Sequence, residues 1–185
     1  MSNSKFNELI KPSLVLLSIC LVVTAALAFT FQLTAPVIEK INLANANEAR
    51  SELLPQSEGD FSPVDAPLSE NVVEVYKANN GTGKVFTVHD KGFGGQITVM
   101  VGIDNEGAIT GVKVTEHSET PGLGTKAMTP EYLSQYIGQK AVTRENEPGE
   151  TQIDAITGAT ITSNAVYRSV ETALAQNKSL GGANE

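Results

Sequence analysis

Between Asp154 and Ser163 the chain reads Asp-Ala-Ile-Thr-Gly-Ala-Thr-Ile-Thr-Ser, small residues and hydroxyls set directly before an amphipathic helical pattern. That arrangement suits a phosphate. A helix N-terminus offers unpaired N–H groups and the positive end of its dipole, Gly158 and Ala159 let a ligand approach the backbone, and Thr160 brings an oxygen there. An ordinary N-cap at Thr162 or Ser163, with Gly158 making a turn, accounts for the same residues, so both readings stand. A second chemically furnished stretch is Glu116-His117-Ser118-Glu119-Thr120-Pro121-Gly122-Leu123-Gly124. By residue type His117 and Glu119 are a general acid–base pair or simply members of a solvated loop. Lys91-Gly92-Phe93-Gly94-Gly95 reads as a hairpin turn, since a lone glycine cluster is weak support for phosphate binding. His89 falls in a strand pattern and reads as structural, and Lys126 and Arg168 are cations able to face a phosphate, a partner or solvent.

What is missing narrows the chemistry. One cysteine and two histidines, far apart in 185 residues, cannot build a zinc or iron–sulfur ligand set within the chain. No Ser-His-Asp pattern, P-loop or dinucleotide-binding fingerprint is present in the chain. A formal net charge of −8 removes the electrostatic term that dominates nucleic-acid binding, so no nucleic acid is expected as a partner.

The elements that must position these residues lie mostly after Asn71. VVEVYKA, KVFTVHD, QITVMVGID and ITGVKVTEH are β-rich runs separated by NNGTG, KGFGG and DNEGA, each a turn signal, and they predict antiparallel hairpins. Thr129 as N-cap and Pro130 at the first helical position predict a short helix to Ile137. A longer helix over 163–177 places Ala165, Val166, Val170, Ala173 and Leu174 on one stripe and closes at Gly181-Gly182. The fold class is α+β.

Upstream, no charged residue occurs between Lys11 and Glu39, and Ser13 to Leu33 is apolar for about 20 residues, enough to cross a hydrocarbon core. A cleaved signal peptide with an Ala26-Leu27-Ala28 site competes with this reading, but the apolar run continues through Phe29, Phe31 and Leu33, which favours an uncleaved anchor. Cys20 reads as an apolar filler within that run. Lys5 and Lys11 place the N-terminus in the cytoplasm and the bulk of the chain outside it. The expected organisation is a flank over 1–12, a transmembrane helix over 13–35 ended by Pro36, a juxtamembrane helix and linker over 36–70, a folded domain over 71–180, and a tail over 181–185.

Asp154-x-x-Thr157-Gly158-Ala159-Thr160 resembles the D-x-x-[ST]-G-A-[TS] motif at which a flavin transferase attaches FMN through a threonine phosphoester. The chain as a whole resembles the G subunit of the Rnf complex, the ion-translocating ferredoxin:NAD oxidoreductase, and more distantly the C subunit of the sodium-translocating NADH:quinone reductase. The resemblance implies that Thr160 is the FMN acceptor, with Asp154, Thr157, Gly158 and Ala159 as the element the transferase reads. It also implies that the H-x-E-T-P-G-L-G segment lies close to the flavin, with His117 and Glu119 as flavin contacts rather than catalytic groups. Thr120, Gly122 and Leu123 become candidate pocket residues, Leu123 for apolar contact. The 91–95 turn matches a glycine-rich segment of the same family. On this reading the chain is a single-pass inner-membrane protein that relays electrons through FMN and works with other membrane and peripheral subunits. One span without an intramembrane charge offers no ion path of its own, so ion translocation falls to those subunits.

Overall fold

The computed structural model describes residues 3–145 and 151–181. The chain divides into two compact units, Met1–Asn45 and Ala46–Glu185.

Helix α1 runs from Asn3 to Leu53 without a break. Its apolar stretch reaches a mean hydropathy of 2.6 and is exposed throughout; among the described residues this is the one helix long and apolar enough to cross a membrane. Hydroxyls within it bond back to the preceding turn, Ser18 to the Leu14 carbonyl at 2.8 Å and Thr30 to the Ala26 carbonyl at 2.9 Å, so they add no unpaired polar group. Pro36, expected to end the span, lies inside the helix. A proline costs one backbone hydrogen bond and a steric adjustment, whereas unwinding an apolar segment would strand many more backbone groups. The separate juxtamembrane helix expected after it is therefore the continuation of α1.

The second unit is built on a five-stranded antiparallel meander: β1 (Phe61–Pro63), β2 (Val72–Ala78), β3 (Gly83–Lys91), β4 (Gln96–Asp104) and β5 (Ile109–Glu116), adjacent in chain order. In β4 the period of two is strict. Ile97, Val99, Val101 and Ile103 face the main core, while Met100 points to a smaller one on the other side. After two short elements, α2 (Pro130–Leu133) and a parallel strand pair, helix α3 (Thr160–Ser179) covers the main core. It does so with Ala165, Val166, Val170, Ala173 and Leu174, all buried, each larger side chain contributing about 1.5–3 kcal/mol by its burial. On the opposite face Ala49, Leu53 and Leu54 pack against Ala78, Val85 and Met100. Gly102 makes that contact possible, because a Cβ there would lie 2.6 Å from the Leu53 carbonyl oxygen, which accepts a 2.5 Å bond from Thr110.

The folded unit thus begins before Asn71. The stretch over 56–69, expected to be a linker, supplies the edge strand β1, and Gln176 accepts a 2.8 Å bond from the Ser69 amide and donates to the Pro67 carbonyl. Proline-rich composition hides a three-residue edge strand, where Pro63 needs no ladder N–H on its outer side. Thr129 caps α2 as expected, and a 3₁₀ turn over Ser134–Tyr136 extends it. The parallel pair, β6 (Val142–Thr143) with β7 (Thr151–Gln152), is only two residues long on each side, too short to leave a periodic signal. The expected closing glycine at 182 and the rest of the tail over 182–185 lie outside the described residues.

Candidate functional site

A cavity of about 270 Å³ opens between the 91–95 turn, the loop after β5 and the start of α3. Its wall includes Glu119, Thr120, Leu123, Gly158, Ala159 and Thr160, joined by Phe93, Gly124, Ile161 and Thr162. Three segments far apart in sequence therefore converge on one site. Apolar side chains stand exposed around it, Phe93 at 70%, Ile161 at 52% and Leu123 at 45%, a concentration of unsatisfied apolar surface that suits a flat aromatic ligand.

Helix α3 begins three residues earlier than the hydrophobic stripe suggests. Ala159 is its N-cap and supplies no capping side chain, so Thr160 occupies the first helical position with the helix end open to a ligand. Thr162 and Ser163, candidates for an ordinary cap, lie inside the helix instead. Both are buried: Thr162 donates to Glu119 Oε2 at 2.8 Å, and the Ser163 hydroxyl donates to the Ala159 carbonyl at 2.9 Å while accepting from the Ile156 amide at 3.1 Å. Gly158, at φ +83°, turns the chain into the helix through the left-handed region that glycine tolerates.

The loop before α3 is braced from behind. Tyr132 donates to the Asp154 carbonyl at 2.9 Å, and Arg144 donates to the carbonyls of Ile153 at 2.6 Å and Ser163 at 2.9 Å while its guanidinium stacks 4.7 Å from the Tyr167 ring centroid. Neither Tyr132 nor Arg144 stood out in the sequence, because bonds to backbone carbonyls leave no pattern in residue type. Beside them Tyr136 is fully buried, and its hydroxyl has no partner among the described residues. Burial, with the neighbouring Tyr132 phenol, pushes its pKa well above the usual tyrosine value, so the group stays protonated.

Glu119 is the most constrained polar residue of the wall. Only 5% of it is exposed; Oε1 accepts from the Gly94 amide at 2.9 Å and Oε2 from Thr162. His117 is exposed and turned away from a pairing with that carboxylate, its Nδ1 accepting the Glu119 amide at 3.3 Å. The two do not form an acid–base pair. Thr157, Asp154, His117 and Gly122 lie outside the residues that line the cavity. Arg168 is committed elsewhere, in a two-pronged ion pair with Asp90 at 2.9 Å that raises its pKa, chiefly through the hydrogen bond. Lys126 is exposed and is not part of the wall. Among the described residues no cluster of histidine, cysteine or carboxylate side chains could hold a metal.

The family model described as the FMN-binding domain matches residues 92–175, from the glycine turn into α3. The chain is also 34% identical over 183 residues to the G subunit of the ion-translocating oxidoreductase complex of Methanosarcina acetivorans, across 94% of this chain and 96% of that one. It belongs to the G-subunit family of ion-translocating oxidoreductase complexes. A second relative in the family, the G subunit of the Na(+)-translocating ferredoxin:NAD(+) oxidoreductase complex of Acetobacterium woodii, is 36% identical over 182 residues, with 86% and 87% of the two chains covered. The proton-translocating counterpart of Clostridium ljungdahlii is 29% identical over 160 residues, covering 85% of each. Among solved structures, the C subunit of the Na(+)-translocating NADH-quinone reductase of Parabacteroides distasonis aligns at 23% identity with a TM-score of 0.49, over 62% of this chain and 63% of that one. In this member of the G-subunit family the segments that form the cavity, from Phe93 to Thr162, fall wholly inside the FMN-binding segment.

Proposed function

We propose that this chain is the membrane-anchored G subunit of an ion-translocating ferredoxin:NAD oxidoreductase complex, carrying FMN through a phosphoester on Thr160 as an electron relay. Bound FMN supplies one- and two-electron transfer, and the chain's own residues hold it and exclude water. Support for the cofactor comes from the cavity itself: exposed Phe93, Leu123 and Ile161 offer apolar surface to a planar ring system, and the uncapped start of α3 offers N–H groups to a phosphate.

The observation that carries the choice of acceptor is the contrast between neighbouring threonines. Thr160 is exposed at the first position of α3 and lines the cavity, whereas Thr162 is 1% exposed with its hydroxyl bound to Glu119, and Thr157 lies outside the wall. Asp154 and Thr157 are exposed just upstream, which leaves them accessible to a flavin transferase that would read the segment before attachment. A covalent link suits a domain on the outer side of the membrane, where scarce free flavin cannot hold a noncovalent site full by mass action. The helix end favours the remaining phosphate charge by about 0.3–1 kcal/mol.

In this reading α1 anchors the chain in the inner membrane with Lys5 and Lys11 on the cytoplasmic side, the domain faces outward, and other subunits provide the ion path and the NAD chemistry. The test is in-gel flavin fluorescence of the denatured chain co-expressed with a flavin transferase and targeted for export. Wild type should fluoresce and Thr160→Val should be dark; a dark wild type would return the cavity to a noncovalent anionic solute.

A further inference from the structure

Glu119 is a carboxylate in an unusual position, buried in the cavity wall with no lysine or arginine paired to it among the described residues. A buried charge is tolerated only when hydrogen bonds replace its hydration. Here the replacements come from two separate segments: the Gly94 amide reaches Oε1 at 2.9 Å from the turn between β3 and β4, and the Thr162 hydroxyl reaches Oε2 at 2.8 Å from the first turn of α3. The surrounding backbone is shaped to admit it. A Cβ on Gly92 would lie 2.3 Å from Oε1, one on Gly124 2.3 Å from Oε2, and one on Gly94 2.2 Å from the Ser118 carbonyl oxygen. Three glycines, two in the turn and one in Glu119's own loop, thus make room for one carboxylate and the loop that carries it.

We propose that Glu119 is a positioning residue, a clasp that holds the Phe93 turn and the Thr160 end of α3 together as the two sides of one pocket. This deepens the covalent-flavin reading and rests on it for the purpose of the pocket, while both bonds of the clasp are made by groups of the chain itself. Glu119 then acts by placing Phe93 and Thr160, with both of its oxygens already committed to protein donors. Glutamine preserves the clasp in geometry, its carbonyl accepting from Gly94 and its amide donating to Thr162 Oγ1, whereas leucine fills the volume and makes neither bond.

The experiment uses the full chain in detergent, as wild type, Glu119→Gln and Glu119→Leu. Amide hydrogen exchange of the segment containing Gly94 is measured on protein made without transferase, and flavin loading is measured by in-gel fluorescence on protein made with it. In Glu119→Leu, exchange at the turn should speed up about tenfold or more, as expected for losing a hydrogen bond to a charged acceptor, and loading should fall several-fold. Glu119→Gln should keep both near wild type. Thr162→Val, a milder change at the other end of the clasp, should lower loading without abolishing it, and Thr162→Ser should restore it, which keeps the test open if the leucine variant does not fold. Unchanged exchange and loading in Glu119→Leu would overturn the clasp, as would a glutamine variant that keeps the turn protected yet loads as poorly as leucine. A wild type that takes up no flavin would count against Thr160 as acceptor while the exchange comparison still decides the clasp.

Discussion

Gly94→Ala is the substitution for which the structure sets the sharpest cost. An added Cβ would stand 2.2 Å from the Ser118 carbonyl oxygen, 2.8 Å from its carbon and 3.2 Å from the Glu119 Cα, all backbone atoms that cannot rotate away. Relief requires the turn to move by about 1 Å, the distance that returns the closest pair to ordinary contact. A shift of that size breaks the 2.9 Å bond from the Gly94 amide to Glu119, worth about 1.5–3 kcal/mol as a bond to a charged acceptor, and adds about 1 kcal/mol or more of packing strain. The total is about 3 kcal/mol, which for a domain of this size lowers Tm by about 10 °C. Gly122→Ala is the internal control: nothing lies within 4 Å of its added Cβ, so only its φ of +77° resists, at about 1–2 kcal/mol. Thermal unfolding of the full chain followed by calorimetry compares the two. A Gly94→Ala domain melting within about 2 °C of wild type, or a Gly122→Ala domain less stable than Gly94→Ala, would refute the reasoning from close approach.

Other expectations follow from the same geometry. Thr162→Val leaves Glu119 Oε2 without its donor in a buried setting and should cost about 1–3 kcal/mol in chemical denaturation, yet retain a flavin-bearing fraction because Thr160 is intact. Tyr136→Phe removes a fully buried hydroxyl beside the Tyr132 phenol and should leave stability within about 1 kcal/mol of wild type near neutral pH. Because the folded-state pKa of Tyr136 lies above its unfolded value of 10.0, wild-type stability should be indifferent to this group below about pH 10 and fall as pH rises further, by up to about 1.4 kcal/mol per unit; Tyr136→Phe should lack that contribution in alkaline melts. Arg168→Ala removes an ion pair in which the arginine is 48% exposed, so stability should change by less than about 1 kcal/mol and flavin loading should stay at the wild-type level.

Much of the sheet is legible because β2 and β4 are rich in β-formers and bounded by strong turn chemistry, and β4 alternates cleanly; the structure places them over the same residues, Val72–Ala78 and Gln96–Asp104. The stripe Ala165–Leu174 likewise faces the core as its spacing requires. Thr162 and Ser163 are good cap residues by type, which sets the start of α3 too late; their partners, Glu119 for one and the Ile156 amide for the other, draw them into the helix. Pro36 reads as a stop because proline lacks the N–H and crowds the preceding turn, a cost that helix α1, carried by long stretches on both sides, absorbs. At the site, residue types pointed to the start of α3 and to the 117–124 loop, but residue types alone give no distances. Glu119 looked like a ligand contact or the partner of His117, and its role as a bridge depends on Gly94, 25 residues away, and on glycines whose purpose is the space they leave.

Attachment of FMN to one threonine is tested most directly by intact mass followed by peptide mapping of the exported chain from cells with an active flavin transferase. Wild type should carry an increment equal to FMN less one water, located on the peptide containing Thr160, and Thr160→Val should lack it. An unmodified mass for wild type, or the increment on Thr157 or Thr162, would contradict it.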